Sequence, residues 1–261
     1  MLLKRGLPAL QAPPRHRLAA RSGAPHSGTM PQPRLLKLSG EALAAGGDHC
    51  LDRPTVDRVC NEVLGSLVYG PVAIVVGGGN ILRGGGMRDG ADPTRGDRQG
   101  MLATLINALA LQDAIERVGE RCVVHAPYFI PNVCVAFDRA QALAQLAAGA
   151  VVVFGGGTGH PFFTTDTAAA LRAAEIGAGE VLKGSNVDGI YTADPKKNPT
   201  ATRIPTMTFA QALAGRYGVM DQAAFEICRD RRIAIRVFDM TAPGAITAAL
   251  GPNPPGTLVA G

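Results

Sequence analysis

Two rhythms of apolar residues alternate along the chain. Short runs at 34–38, 71–76, 121–125, 151–154, 180–183 and 233–238 have the length and composition of strands. The run 71–76 is apolar throughout, as expected of a strand covered on both faces. Between these runs, apolar residues recur at helical spacing. Val56, Val59, Val63 and Leu67 mark a helix over 52–68, capped by Asp52 or Thr55. Met101, Leu102, Leu105, Leu109 and Leu111 mark a longer one over 97–118, with Asp97 at its start. Further helices are predicted at 138–148, from the Thr164–Thr165–Asp166 stretch onward with Thr165 as its cap, around 208–214 and 220–230, and at 243–250. Strands that alternate with helices predict an α/β fold: a three-layer α/β/α sandwich around a mainly parallel central sheet. No internal repeat and no linker interrupts the pattern after residue 33.

The chemistry gathers where strands stop. The 151–154 run ends in Gly155, Gly156 and Gly157, followed by a Thr158-Gly159-His160-Pro161 turn and a helix start. The 71–76 run ends in Gly77-Gly78-Gly79-Asn80, with Arg83 just beyond. The 180–183 run leads into 184–195, G-S-N-V-D-G-I-Y-T-A-D-P, whose polar groups and aromatic are spaced to hold a nucleotide base and ribose. A strand, a glycine loop and a helix N-terminus present backbone N–H groups to an anion. One such loop is an ordinary connection; three in one chain point to phosphate. Lys37 at the end of the first strand, beside the Ser39-Gly40 turn, can reach a phosphate, whereas its plain alternative is a strand-edge lysine in solvent. Arg83 is suited to bidentate phosphate binding, and the Gly-, Arg- and Asp-rich stretch 84–96 reads as a mobile surface loop.

Composition narrows the picture. At 261 residues the chain can bury a full core, and no apolar run reaches the roughly 18–20 residues that span a bilayer. The net charge of +5 resides in residues 1–33, which carry Lys4, Arg5, Arg15, Arg17 and Arg21 and no acid. Residues 34–261 hold 21 basic and 21 acidic side chains, so the folded part makes no bulk electrostatic case for nucleic acid. Residues 1–33 are expected to be a disordered basic leader or an over-long start, with Met30 as the first residue in the second case, and residues 34–261 to form the domain. Five scattered cysteines without a C-x-x-C pair read as reduced intracellular thiols, with Cys122 and Cys134 in the core.

Taken together, seven separated segments resemble the bacterial-type UMP kinases of the amino-acid kinase family. They are L-L-K-L-S-G-E-A-L (35–43), G-G-G-N-I-L-R-G (77–84), G-D-R-Q-G-M-L-A-T (96–104), G-T-G-H-P-F-F-T-T-D (157–166), V-D-G-I-Y-T-A-D-P (187–195), V-M-D (219–221) and I-R-V-F (235–238). Any one piece is weak; their order and combination over residues 34–261 are specific.

The resemblance implies transfer of the γ-phosphoryl group of ATP to UMP, giving ADP and UDP in pyrimidine nucleotide biosynthesis. It implies Mg²⁺ carried by the donor nucleotide, with no metal ligands from the protein, and a cytoplasmic enzyme. Motif by motif, Lys37 and Asp166 would be catalytic, Asp166 orienting Lys37 and other cations. Lys37, Leu38, Ser39, Gly40, Gly79, Arg83, Ser185, Tyr191 and Asp194 would lie along ATP. Gly78, Arg83, Asp97, Thr158, Gly159, His160, Pro161, Phe162, Phe163, Thr164 and Thr165 would hold UMP, with Asp97 on the ribose hydroxyls.

Relatives are typically homohexamers activated by GTP and inhibited by UTP. The apolar face of 97–118 would serve dimerisation, while Glu116, near Gln112, would repel a triphosphate effector. The chain departs from the family at His160, usually Asn, and at Asn186, often Lys. A neutral imidazole facing uracil would imitate the amide and make recognition pH-dependent; a solvent-facing one would leave uracil to backbone groups. The loss of a cation at Asn186 shifts weight onto Lys37 and Lys183.

Three other readings compete: a carboxylate, carbamate or isopentenyl phosphate kinase of the same fold, a storage protein that binds without turnover, and a nucleic-acid binder using the basic arm. The first is opposed by Arg83 with Asp97, the second by the trio Lys37, Arg83 and Asp166, and the third by the neutral core.

Overall fold

The computed structural model describes residues 31–44, 50–82, 92–195, 197–215 and 217–261. Among them a nine-stranded sheet runs in the order β4-β3-β5-β2-β1-β6-β10-β11-β9. The strands are β1 (Arg34–Leu38), β2 (Val72–Val76), β3 (Cys122–Ala126), β4 (Val135–Ala136), β5 (Val151–Phe154), β6 (Glu180–Ser185), β9 (Thr206–Met207), β10 (Ala234–Asp239) and β11 (Thr257–Val259). Neighbours pair in parallel except β10 with β11. A separate two-stranded ribbon joins β7 (Ile190–Tyr191) to β8 (Arg203–Ile204).

Helices cover both faces. On one side, α1 (Arg53–Gly65), α2 (Pro93–Arg117) and α7 (Ala245–Ala249) pack with Leu36, Leu38, Ile74 and Val76. On the other, α3 (Arg139–Ala147), α4 (Thr165–Ile176), α5 (Phe209–Ala214) and α6 (Gln222–Arg231) pack with Leu35, Val75, Val181 and Val237. Alternate residues of β1 therefore serve opposite layers, as the two-residue strand period requires. The face that takes Leu35 and Val181 also takes Lys37 and Lys183, two residues further along each strand. The small residues Ala168, Ala169, Ala170 and Ala173 let α4 lie close on this face.

Several element boundaries differ from the expectation. The long helix starts at Pro93, not at residue 97, with Asp92 accepting from Thr94 N–H at 2.9 Å. Proline at the first helical position behind an aspartate is a strong start signal that the surrounding glycines concealed. Asp97 is thus one turn inside α2, and 93–96 belong to the helix rather than to a loop; residues 83–91 lie outside the described residues, Arg83 among them. Thr164, not Thr165, caps α4, its hydroxyl accepting Asp166 N–H at 3.0 Å. Asp52 caps α1, which ends at Gly65 and continues as a 3-10 turn over Ser66–Tyr69. The leader expected over 1–33 lies outside the described residues up to residue 30.

Candidate active site

The C-terminal ends of β1, β2, β5 and β6 carry the loops singled out above. Lys37 and Lys183 are direct register partners on β1 and β6. Asp166, in the first turn of α4, reaches both: Lys37 Nζ lies 2.8 Å from its Oδ1, and Lys183 Nζ donates to its Oδ2 at 2.5 Å. All three side chains are about nine-tenths buried. Lys183 also donates to the Val219 carbonyl. Burial by itself would raise the Asp166 carboxyl, but the ammonium groups of Lys37 and Lys183 outweigh it and hold the group below the usual carboxylate range. Burial and the nearby Lys37 charge press Lys183 below its ordinary value, with Asp166 opposing them. Two ammonium groups thus share the Asp166 carboxylate beside the glycine loops.

The turn after β1 meets the loop after β2. Gly77 N–H donates to Leu38 carbonyl at 2.9 Å. A Cβ on Gly40 would lie 2.4 Å from Asn80 Oδ1 and 2.6 Å from Gly77 O, so only glycine permits this approach. Asn80 and Asn107 exchange side-chain amide bonds of 3.0 and 2.7 Å, and Asn107 Nδ2 also donates to Gly77 O at 2.6 Å. Asn80 closes the glycine loop after β2, but Asn107 has no sequence signal, because a buried amide inside a helix carries no local signature. Gly78 packs on α2, where a Cβ would stand 2.9 Å from both Ala103 Cβ and Gly100 O. Leu38, Ser39, Gly40, Gly78 and Gly79 are thus brought into one place, beside Lys37.

The 155–165 turn stands on the other side of the same sheet edge. Gly156, Gly157 and Gly159 have φ of 77°, 59° and 83°, which glycine alone adopts freely. Gly156 N–H donates to Thr104 Oγ1 at 2.7 Å, anchoring the turn on α2. Asp97 Oδ2 accepts Phe162 N–H at 2.7 Å, so two residues assigned to one ligand are in direct contact. Phe162 itself takes a φ of 69°, in the left-handed region, and its ring is exposed, as is that of Phe163. Thr158 Oγ1 accepts His160 N–H and donates to His160 O, both at 3.1 Å, while the imidazole is exposed.

Tyr191 and Asp194 line a cavity of about 390 Å³ with Val187, Gly189, Tyr217, which no sequence signal marks, and Val219 of the V-M-D segment. Ser185 closes β6 and is not among the residues that line this cavity. Tyr191 Oη donates to Asp188 Oδ1 at 2.6 Å. Lys183, expected from sequence to share weight with Lys37, is placed directly opposite it by the register of β1 with β6. Among the described residues no group of three or more His, Cys, Asp or Glu is arranged to hold a metal ion. Cys122 is buried, and burial pushes its thiol up to about 12, as for a core residue rather than a nucleophile. No helix among the described residues is long and apolar enough to cross a membrane.

Comparison with known proteins agrees with this geometry. The model of the amino acid kinase family matches residues 32–239. A uridylate kinase of Bradyrhizobium sp. (strain ORS 278) is 49% identical over 229 residues, covering 87% of this chain and 96% of the relative. The crystal structure of UMP kinase from Bacillus anthracis superimposes with a TM-score of 0.84 at 33% identity, over 88% of this chain and 96% of that one. UMP kinase from Ureaplasma parvum gives 0.83 at 32% identity, over 88% and 99%.

Proposed function

The chain belongs to the amino acid kinase family, and on that premise we propose that it transfers the γ-phosphoryl group of ATP to UMP, giving ADP and UDP. The observation that carries the reading is the Lys37–Asp166–Lys183 cluster at the meeting point of the glycine loops. Phosphoryl transfer asks little covalent chemistry of a protein; it asks for two phosphates held in line and for positive charge on the transferring oxygens. An oxygen of the UMP phosphate forms the new bond to the γ-phosphorus as the bond to the β-phosphate oxygen breaks. The acceptor phosphate is already ionised near pH 7, so no general base is needed and Asp166 serves to orient the two lysines.

Lys37 contacts the transferring group, with Leu38, Ser39, Gly40 and Gly79 beside the donor phosphates. The Tyr191–Val219 cavity takes the donor's base and ribose, with Asp194 on its rim and Ser185 nearby in sequence. Gly78, Asp97 and the 158–165 turn hold UMP, and Arg83 is assigned to its phosphate. The exposed imidazole of His160 leaves uracil to the backbone of this turn. Magnesium arriving with ATP fits a site that offers cations and N–H groups but, among the described residues, no carboxylate cluster; it would neutralise donor phosphate charge.

The same reading places the enzyme in the cytoplasm, in keeping with its unpaired thiols. It makes the assembly a homohexamer, in which Leu102 and Ile106, each about half exposed and one turn apart on α2, supply a dimer contact. GTP and UTP stand as candidate effectors, opposed by Glu116, to which Gln112 donates at 2.9 Å and whose carboxylate would repel a triphosphate.

The test is ADP release with ATP–Mg²⁺ and a panel of acceptors: UMP, CMP, dUMP, aspartate, acetylglutamate and carbamate. Turnover with UMP above all others is expected. A folded protein that binds ATP yet turns over none of them overturns the reading in favour of storage or regulation.

A further inference from the structure

Asp221, the last residue of the V-M-D segment at 219–221, has no part in the function so far, yet it and Val219 both bear on the Lys37–Asp166–Lys183 cluster. Val219 offers its carbonyl to Lys183 Nζ. Asp221 caps α6, its Oδ1 accepting Ala224 N–H at 2.7 Å. The same carboxylate accepts the hydroxyls of Thr164 and Thr167 from the first turn of α4, Thr167 at 2.8 Å to Oδ2. Thr164 Oγ1 in turn accepts Asp166 N–H at 3.0 Å. The contacts close into a ring: Val219 carbonyl, Lys183, Asp166, Thr164, Asp221, and back along the backbone to Val219. One member of this ring, Val219, also lines the 390 Å³ cavity.

We propose that Asp221 is a positioning residue for phosphoryl transfer, holding the first turn of α4 and, through Val219, the Lys183 ammonium in one fixed arrangement. This rests on the proposed kinase function. The carboxylate suits the place because it only accepts. Thr164 spends one lone pair on Asp166 N–H and needs an acceptor for its proton; Thr167 needs one as well. An amide in place of the carboxylate turns one of the accepting oxygens into a donor, leaving a threonine proton without a partner and loosening the turn that carries Asp166. The charge matters too. Lys183 is faced by Asp166 from α4, Lys37 from β1 and Asp221 from the start of α6, and the Asp221 carboxylate favours its protonated form.

The experiment compares the full chain with Asp221→Asn and Thr167→Val. It measures kcat, both KM values and the pH profile with ATP–Mg²⁺ and UMP, together with the NMR titration of the Lys183 ammonium in the ligand-free protein. In Asp221→Asn, kcat is expected to fall roughly 10- to 100-fold, the scale of a misplacement of about 1 Å. The loss should lie mainly in kcat, with the KM for ATP within about threefold and a rise in the KM for UMP smaller than the fall in kcat, because Asp221 holds Thr164 of the turn assigned to UMP. The alkaline limb of kcat and the Lys183 titration should both move to lower pH. Thr167→Val, nearly isosteric, should lower kcat less, and the double variant should fall no further than Asp221→Asn alone; if Asp221→Asn does not fold, Thr167→Val carries the kinetic test.

A folded Asp221→Asn with unchanged kcat, a change confined to KM, or a fall in kcat with the alkaline limb unmoved overturns the proposal. Wild-type protein that leaves UMP untouched overturns the kinase reading instead. The Lys183 titration then decides the present one: a shift to lower pH upholds the arrangement and an unmoved titration ends it.

Discussion

Lys37 and Lys183 stand opposite each other in register on neighbouring parallel strands, and the carboxylate of Asp166 reaches both. Two unit charges about 5 Å apart repel by about 3 kcal/mol at an effective dielectric near 20. Two buried ammonium groups in such a place are held only because an anion lies between them. In the proposed reaction a phosphoryl group in flight offers a second anion to the same pair, and this is the catalytic role proposed for the arrangement.

Lys37→Ala is therefore expected to lower kcat by at least about 10²- to 10³-fold, the cost of removing a preorganised charge from a transferring group. The fold should survive, because Asp166 keeps Lys183 as its partner at 2.5 Å. Circular dichroism and single-turnover kinetics check both halves, and a near-normal kcat would remove Lys37 from its role.

Asp97→Asn should act on the acceptor alone. The amide oxygen can still accept Phe162 N–H, now held at 2.7 Å, so the turn stays in place. What is lost is the charge that strengthens bonds to ribose hydroxyls, about 1.5–3 kcal/mol, which corresponds to a rise of roughly 10- to 100-fold in KM for UMP. Initial rates at saturating ATP measure it; an effect confined to the KM for ATP contradicts the placement.

Gly40→Ala tests how closely the first two loops must meet. The added carbon would sit 2.6 Å from Gly77 O, a carbonyl that Asn107 holds in place with a 2.6 Å bond. The loops must part, at a cost of about 1–3 kcal/mol in stability. Urea unfolding gives the loss, and KM for ATP should rise with it because the donor phosphates lose their cradle. A variant as stable as wild type with unchanged KM would show the close approach to be incidental.

Much of this was legible in the sequence because strand and helix periods differ and because glycine marks where a backbone must approach something. The alternation of runs carried the layered α/β fold, and the loops after 71–76 and 151–154 carried the site. The remainder depended on register or on length. The sequence marks Lys183 as a cation that shares weight with Lys37, but that the two face each other across one carboxylate depends on the register of β1 with β6. Strands β4, β7, β8 and β9 have two residues each, too few to show any period. Tyr217 lines a cavity from a stretch with neither rhythm, Val219 stands in the V-M-D segment, to which the sequence assigns no place, and the start of α2 was hidden by Gly96 despite the Asp92-Pro93 signal.

The last prediction concerns acid. His125 is fully buried, with Nε2 2.6 Å from Gln145 Oε1 and Nδ1 without a hydrogen-bond partner among the described residues. The ring lies against Phe137 and Phe154, and Arg172 stacks 4.0 Å above Phe137. Burial lowers the imidazole pKa from 6.5; the Gln145 bond and Asp138 raise it, and the Arg172 charge lowers it further. The sign follows directly. Below 6.5 the unfolded chain takes a proton that the folded chain refuses, so the contribution to stability is complete above that pH. It is lost as pH falls from there toward the folded value, by at most about 1.4 kcal/mol per pH unit. Urea unfolding of the wild type between pH 8 and pH 5 should show this slope beginning near neutrality, well above the range where carboxylates titrate. His125→Gln gives up ring packing and should be less stable at every pH, but the slope above pH 5 should flatten. If the variant keeps the wild-type slope, the acid sensitivity belongs to another group, and His125 is only a well-packed ring.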